Sequence, residues 1–66
     1  MQLQDILYSQ GFGTRRICAG LIQQGFVQVD LGQGLVTCDD ALQDVDVHEG
    51  LPYRVQGVLW PYHVKA

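Results

Sequence analysis

The sequence predicts an α+β domain: a two-helix hairpin packed on a small antiparallel sheet of three to four strands. Three observations lead there. Apolar residues recur at helical spacing through the first 24 positions, and glycines fall where that spacing stops. From Val27 onward the period shortens to two, with valines alternating against polar residues.

Leu3, Ile6 and Leu7 stand at i, i+3 and i+4, which predicts a short amphipathic helix over about residues 2–9. Gly11 occupies the place of a helix-ending glycine, and Phe12 and Gly13 make a tight link. Thr14 is the predicted N-cap of a second helix over about 15–24. Its buried face is expected to carry Ile17, Cys18, Leu21 and Ile22. Small Ala19 and Gly20 are expected to let the two helices approach closely, and Gly25 ends the helix.

Beyond Gly25, Val27, Val29 and Leu31 alternate with Gln28 and Asp30 as a half-buried strand. The glycine-rich "LGQG" reads as a turn and "LVTC" as a second strand, followed by an irregular "DDALQD". "VDV" alternates again as a further strand, "HEG" reads as a turn, and "YRV" as a last strand ending at Gly57. The tail "VLWPYHVKA" has two readings: its aromatics cap the small core, or it opens a linker. The second is preferred, which sets a domain over 1–58 and a linker over 59–66.

Bulk properties narrow the function. Sixty-six residues make one small domain, and 47% hydrophobic with 17% charged residues excludes a disordered chain. No apolar run approaches the ~20 residues of a membrane span, and "MQLQDILYSQ" lacks the pattern of a signal peptide. A cytoplasmic chain with no membrane partner is expected. Cys18 and Cys38 read as buried, reduced thiols. With His48 and His63 they would give a C-x19-C-x9-H-x14-H spacing, unlike the closely paired ligands of structural zinc, so no metal is expected.

Catalytic patterns are missing too. Ser9 has no companion histidine at a suggestive position, and "GFG" and "GQG" lack the further residues of a dinucleotide or phosphate loop. Asp39–Asp40 and Asp44–Asp46 are carboxylate pairs in polar stretches without a calcium-loop pattern. No cofactor is expected.

Charge is distributed unevenly. Residues 1–29 carry Arg15 and Arg16 against Asp5 alone, a net of +1. Residues 30–66 carry six acids against Arg54 and Lys65, a net of −4. Arg15 and Arg16 lie in a helical first turn, where the dipole disfavours cations by roughly 0.3–1 kcal/mol each. Thr14, the two guanidiniums and free backbone N–H groups together suit phosphate oxygens. The competing reading pairs one arginine with Asp5 or another surface acid. If the arginines serve a ligand, replacing both should cost the fold little.

The run L-x-x-I-L-x-x-x-G-x-G-T-R-R-x-x-x-x-x-L-I-x-x-G-x-V-x-V, Leu3 to Val29, resembles the RNA-binding domain named after the fourth ribosomal small-subunit protein, or αL motif. Within that family "GFGTRR" and "WPYHVKA" are most similar to the N-terminal domain of RsuA-type pseudouridine synthases of bacteria. The likeness covers essentially the whole chain. It implies RNA contacts at Gly13, Thr14, Arg15 and Arg16, with core and turn roles for Leu21, Ile22, Gly25, Val27 and Val29. It further implies a Trp-Pro-Tyr lead into a catalytic domain that isomerises uridine by an aspartate-dependent, cofactor-free route.

Three departures stand out: Gln23 and Phe26 replace commonly basic residues, and Asp30-Leu31-Gly32-Gln33-Gly34 replaces the usual Asn-Gly turn. RNA affinity of this domain alone is therefore expected to be poor. The resulting expectation is a monomeric, non-catalytic module that positions small-subunit ribosomal RNA through Arg15, Arg16 and the edge around Thr14, Gln23 and Gln24. The alternatives are a stand-alone RNA binder or a protein adaptor presenting Phe12, Phe26 and Trp60 as an apolar patch.

Overall fold

Two helices and four antiparallel strands form the α+β domain in a computed structural model that describes residues 1–64. Helix α1 spans Leu3–Ser9 and α2 spans Arg15–Gln23. The strands are β1 (Val27–Asp30), β2 (Leu35–Thr37), β3 (Pro52–Val55) and β4 (Val58–Pro61), in spatial order β2-β1-β3-β4.

Both helices stop at the same dipeptide, Gly-Phe, by the same device. The N–H groups of Gly11 and Phe12 donate back to the carbonyls of Tyr8 and Leu7, and those of Gly25 and Phe26 to Ile22 and Leu21. These paired bonds satisfy the last carbonyls of each helix and turn the chain sharply, as a Schellman ending does. The first turn returns the chain along α1; the second sends it into the sheet.

The core lies between the helices and one face of the sheet. Leu3, Ile6, Leu7, Cys18 and Ile22 from the helices meet Val27, Val29, Tyr53 and Val55 from the central strands. Cys18 and Cys38 are buried free thiols, and burial pushes the pKa of each upward. Opposed residues of antiparallel strands share a face, so the register Gln28↔Arg54 places both side chains on the other, outer face.

Four expectations are corrected. Ile17 is 54% exposed and Leu21 only partly buried, because the short α2 presents Cys18 and Ile22 inward and leaves Ile17 over its own N-terminal turn. Gly20 is not a close helix contact: a Cβ there would meet nothing within 4 Å. "VDV" forms no strand. Val45 and Val47 do turn inward, but this segment runs beside residues 1 and 2, where the Val45 N–H donates to the Met1 carbonyl at 2.8 Å. Alternating burial requires only an extended chain; a strand also requires a continued ladder, and here Gln2 and Asp44 form one isolated bridge.

The fourth correction concerns the tail. Residues 58–61 are a strand, joined to β3 by the two-residue turn Gln56-Gly57, whose φ angles of 51° and 83° match a type I′ hairpin. Tyr62 is buried, and its N–H donates to the Leu51 carbonyl at 2.8 Å. His63 exchanges two 3.0 Å hydrogen bonds with the Gln10 side chain. Glu49 accepts from the Val64 N–H at 2.8 Å and contacts His63 Nδ1 at 3.2 Å; these contacts hold its pKa below the usual range. Residues 59–64 of the expected linker thus belong to the fold, and its last two positions, 65–66, lie outside the described residues.

Candidate nucleic-acid interface

The site begins at the link between the helices. Gly13 has φ of 122°, which L side chains rarely adopt, and a Cβ there would lie 3.2 Å from Ile17 Cγ2. Glycine therefore sets the path that delivers Thr14. Thr14 Oγ1 accepts from the Ile17 N–H at 3.2 Å, and its carbonyl accepts from Cys18 at 2.9 Å. This is the N-cap that the sequence predicts.

Capping leaves two donors over. Among the described residues, no carbonyl or side chain accepts from the backbone N–H of Arg15 or Arg16. No acid occupies the first turn of α2, so the positive end of the helix dipole is uncompensated within the helix.

The two arginines differ sharply. Arg15 Nε lies 3.1 Å from Asp5 Oδ1, and its guanidinium carbon sits 4.6 Å above the Tyr8 ring centroid. Both partners belong to α1, so Arg15 fastens one helix to the other. An exposed ion pair contributes about 0–1 kcal/mol, and an exposed cation–π contact about 0.5–1 kcal/mol. The competing reading of the arginine pair is thereby realised at Arg15, and the expectation that both arginines are dispensable to the fold needs correcting there. Arg16 is exposed and has no ion-pair or hydrogen-bond partner among the described residues.

Gln23 and Gln24 are exposed at the opposite end of α2. At 1.5 Å per residue they stand about 11–12 Å along the axis from Arg16, so they do not join one cluster with it. Spacing of i, i+4 and i+7 nevertheless aligns Arg16, Gly20 and Gln23 on one stripe. Open Gly20 leaves the helix backbone bare midway along that stripe.

Two further residues were missed in the sequence. Tyr8 orients Arg15; its signal was an aromatic ring off the apolar face of α1. Arg54 lies on the outer sheet face, and its signal was the alternation Tyr53-Arg54-Val55, which turns the middle residue away from the core. The three aromatics of the adaptor reading do not form one patch. Phe12 packs edge-on to Tyr53 and Trp60, with centroids 5.9 and 5.6 Å away, whereas Phe26 lines a hollow with Gln28 and Arg54.

Comparison of the chain with family models, with curated proteins and with solved structures found no match. Among the described residues, no helix is long and apolar enough to cross a membrane.

Proposed function

We propose that this chain is an RNA-binding module that positions small-subunit ribosomal RNA for an RsuA-type pseudouridine synthase, with catalysis performed by a domain outside these 66 residues. Localisation in the bacterial cytoplasm and a monomeric state are parts of the same reading. The observation that carries it is the open start of α2. There Arg16, a guanidinium unpaired among the described residues, stands beside two backbone N–H groups that have no acceptor among them. Phosphate oxygens satisfy all of these groups at once. The GFGTRR resemblance supplies the substrate class and the parent enzyme.

One observation favours a protein-interaction role as a second reading. Val58, Leu59 and Trp60 of β4 are 53%, 56% and 43% exposed, an apolar edge in a domain with a modest core. The N–H groups argue against strand addition there. Val58 and Trp60 lie at the positions that bond back to β3, and Pro61 has no donor, so Leu59 alone offers one outward.

The RNA reading is tested by titrating labelled single-stranded fragments of small-subunit ribosomal RNA with the chain at several salt concentrations. Weak binding is expected, with a log–log salt slope of about −0.7 for the phosphate at Arg16 and steeper by about the same amount for each further phosphate contact, Arg15 included. Binding that ignores salt, or no binding at low salt, contradicts it.

A further inference from the structure

Beside the C-terminal end of α2 lies a hollow of about 450 Å³, lined by Gly25, Phe26, Gln28, Arg54, Gln56 and Gly57. Its chemistry is mixed in a particular way: one aromatic ring, two carboxamides and one guanidinium. We propose that this hollow holds a single nucleotide, with the base stacked on Phe26, its edge met by Gln28 and Gln56, and its phosphate drawn to Arg54. As a seat for one unstacked residue of an RNA strand, the pocket rests on the RNA reading; a free mononucleotide offers the same chemistry.

Arg54 carries the argument furthest. Its Nε is buried without a hydrogen-bond partner, and its Nη1 reaches Gln28 Oε1 only at a long 3.5 Å. No carboxylate pairs with it among the described residues. The acid on the same sheet face, Asp30, turns Oδ1 to the N–H groups of Gly32 and Gly34 at 2.7 and 3.3 Å. A half-buried guanidinium left in this state favours an anionic partner, and its planar fork suits phosphate.

Two other groups fit the same ligand. Phe26 is 46% exposed, on a surface where an aromatic ring has no core to fill. Stacking of a base on such a ring tolerates any base identity. Gln56 holds φ of 51° in a turn position where asparagine or glycine sits more easily. Its backbone N–H donates to the Phe26 carbonyl at 2.8 Å, which fixes the rim of the hollow. A longer amide kept in a strained position is consistent with a use for its reach. The larger hollow, about 530 Å³ with Asp30, Asp44 and Asp46 in its lining, repels a phosphate.

The test is an NMR titration of the ¹⁵N-labelled chain with uridine and adenosine 5′-monophosphates, and separately with a single-stranded RNA oligomer. The expected result is saturable shifts at Phe26, Gln28, Arg54 and Gln56 with either probe. Phe26→Ala should weaken binding about tenfold, within the range for loss of one stacked base. Gln56→Asn should raise the melting temperature by relaxing the turn, yet weaken nucleotide binding; a purely structural glutamine would show only the first effect. Shifts with mononucleotides but no oligomer binding would keep the pocket and overturn the RNA reading. Oligomer binding that leaves these four residues unshifted, with Phe26→Ala at full affinity, would overturn the pocket and keep the RNA reading. Silence with both probes overturns both.

Discussion

The two helices of the hairpin begin in opposite ways. Every N–H in the first turn of α1 has an acceptor: Leu3 and Gln4 donate to the carbonyls of Gln43 and Ala41, and Asp5 and Ile6 to that of Gln2. No side chain caps this helix, because a packed loop does the work. At α2 a side chain caps, and among the described residues the backbone N–H groups of Arg15 and Arg16 keep no acceptor. A helix start closed by its own fold has nothing left for a ligand. One left open keeps donors that a ligand can use.

The contrast can be broken from the α2 side first. Gly13→Ala should destabilise the domain by about 2 kcal/mol, since the substitution meets both a left-handed backbone and the Ile17 side chain. Thr14→Ala removes the cap and should cost about 1 kcal/mol. At α1, Gln2→Ala should stay within about 0.5 kcal/mol, because Gln2 caps through its carbonyl and not its side chain. Chemical denaturation of the three variants measures this order; a Gln2→Ala loss equal to that of Thr14→Ala would erase the distinction.

A smaller effect of opposite sign sharpens it. Gly20→Ala fills open space inside a helix and should stabilise the chain by about 0.5–1 kcal/mol. If RNA runs along the stripe from Arg16 to Gln23, the added methyl should weaken RNA binding while the melting temperature rises. A stabilised variant with unchanged affinity confines the contact to the helix start.

Much of this was legible in the residues, for physical reasons that differ by element. Thr14, Gly11 and Gly25 were readable because caps and helix-ending glycines act locally, within one turn. Strand β1 was readable because Val27 and Val29 are buried on one face only. Strand β4 carries no such mark, because Val58, Leu59 and Trp60 are all apolar and all exposed and nothing alternates along them; the Gln56-Gly57 turn is its one cue. In the site, the arginine pair stood out by composition, but its division of labour did not. That division depends on Tyr8 and Asp5 reaching Arg15 from the other helix, a tertiary contact with no local signature. For Arg54 the outward turn is legible in the alternation Tyr53-Arg54-Val55, but only sheet register sets it beside Gln28.

At the start of α2, Arg16 and not the tethered Arg15 is the cation without a partner among the described residues, and on the RNA reading it is the one that holds phosphate there. Single variants Arg16→Glu and Arg15→Glu, compared by thermal melt and by RNA titration across salt, test it most directly. Arg16→Glu should leave the melt nearly unchanged or raise it slightly through the helix dipole, lower RNA affinity sharply and flatten the salt slope by about 0.7, the share of one phosphate on a single strand. Arg15→Glu should lose about 1 kcal/mol of stability through the broken Asp5 and Tyr8 contacts, with the smaller loss of affinity. An Arg16→Glu chain that binds RNA as tightly as the parent, with the parent's salt slope, would contradict the account.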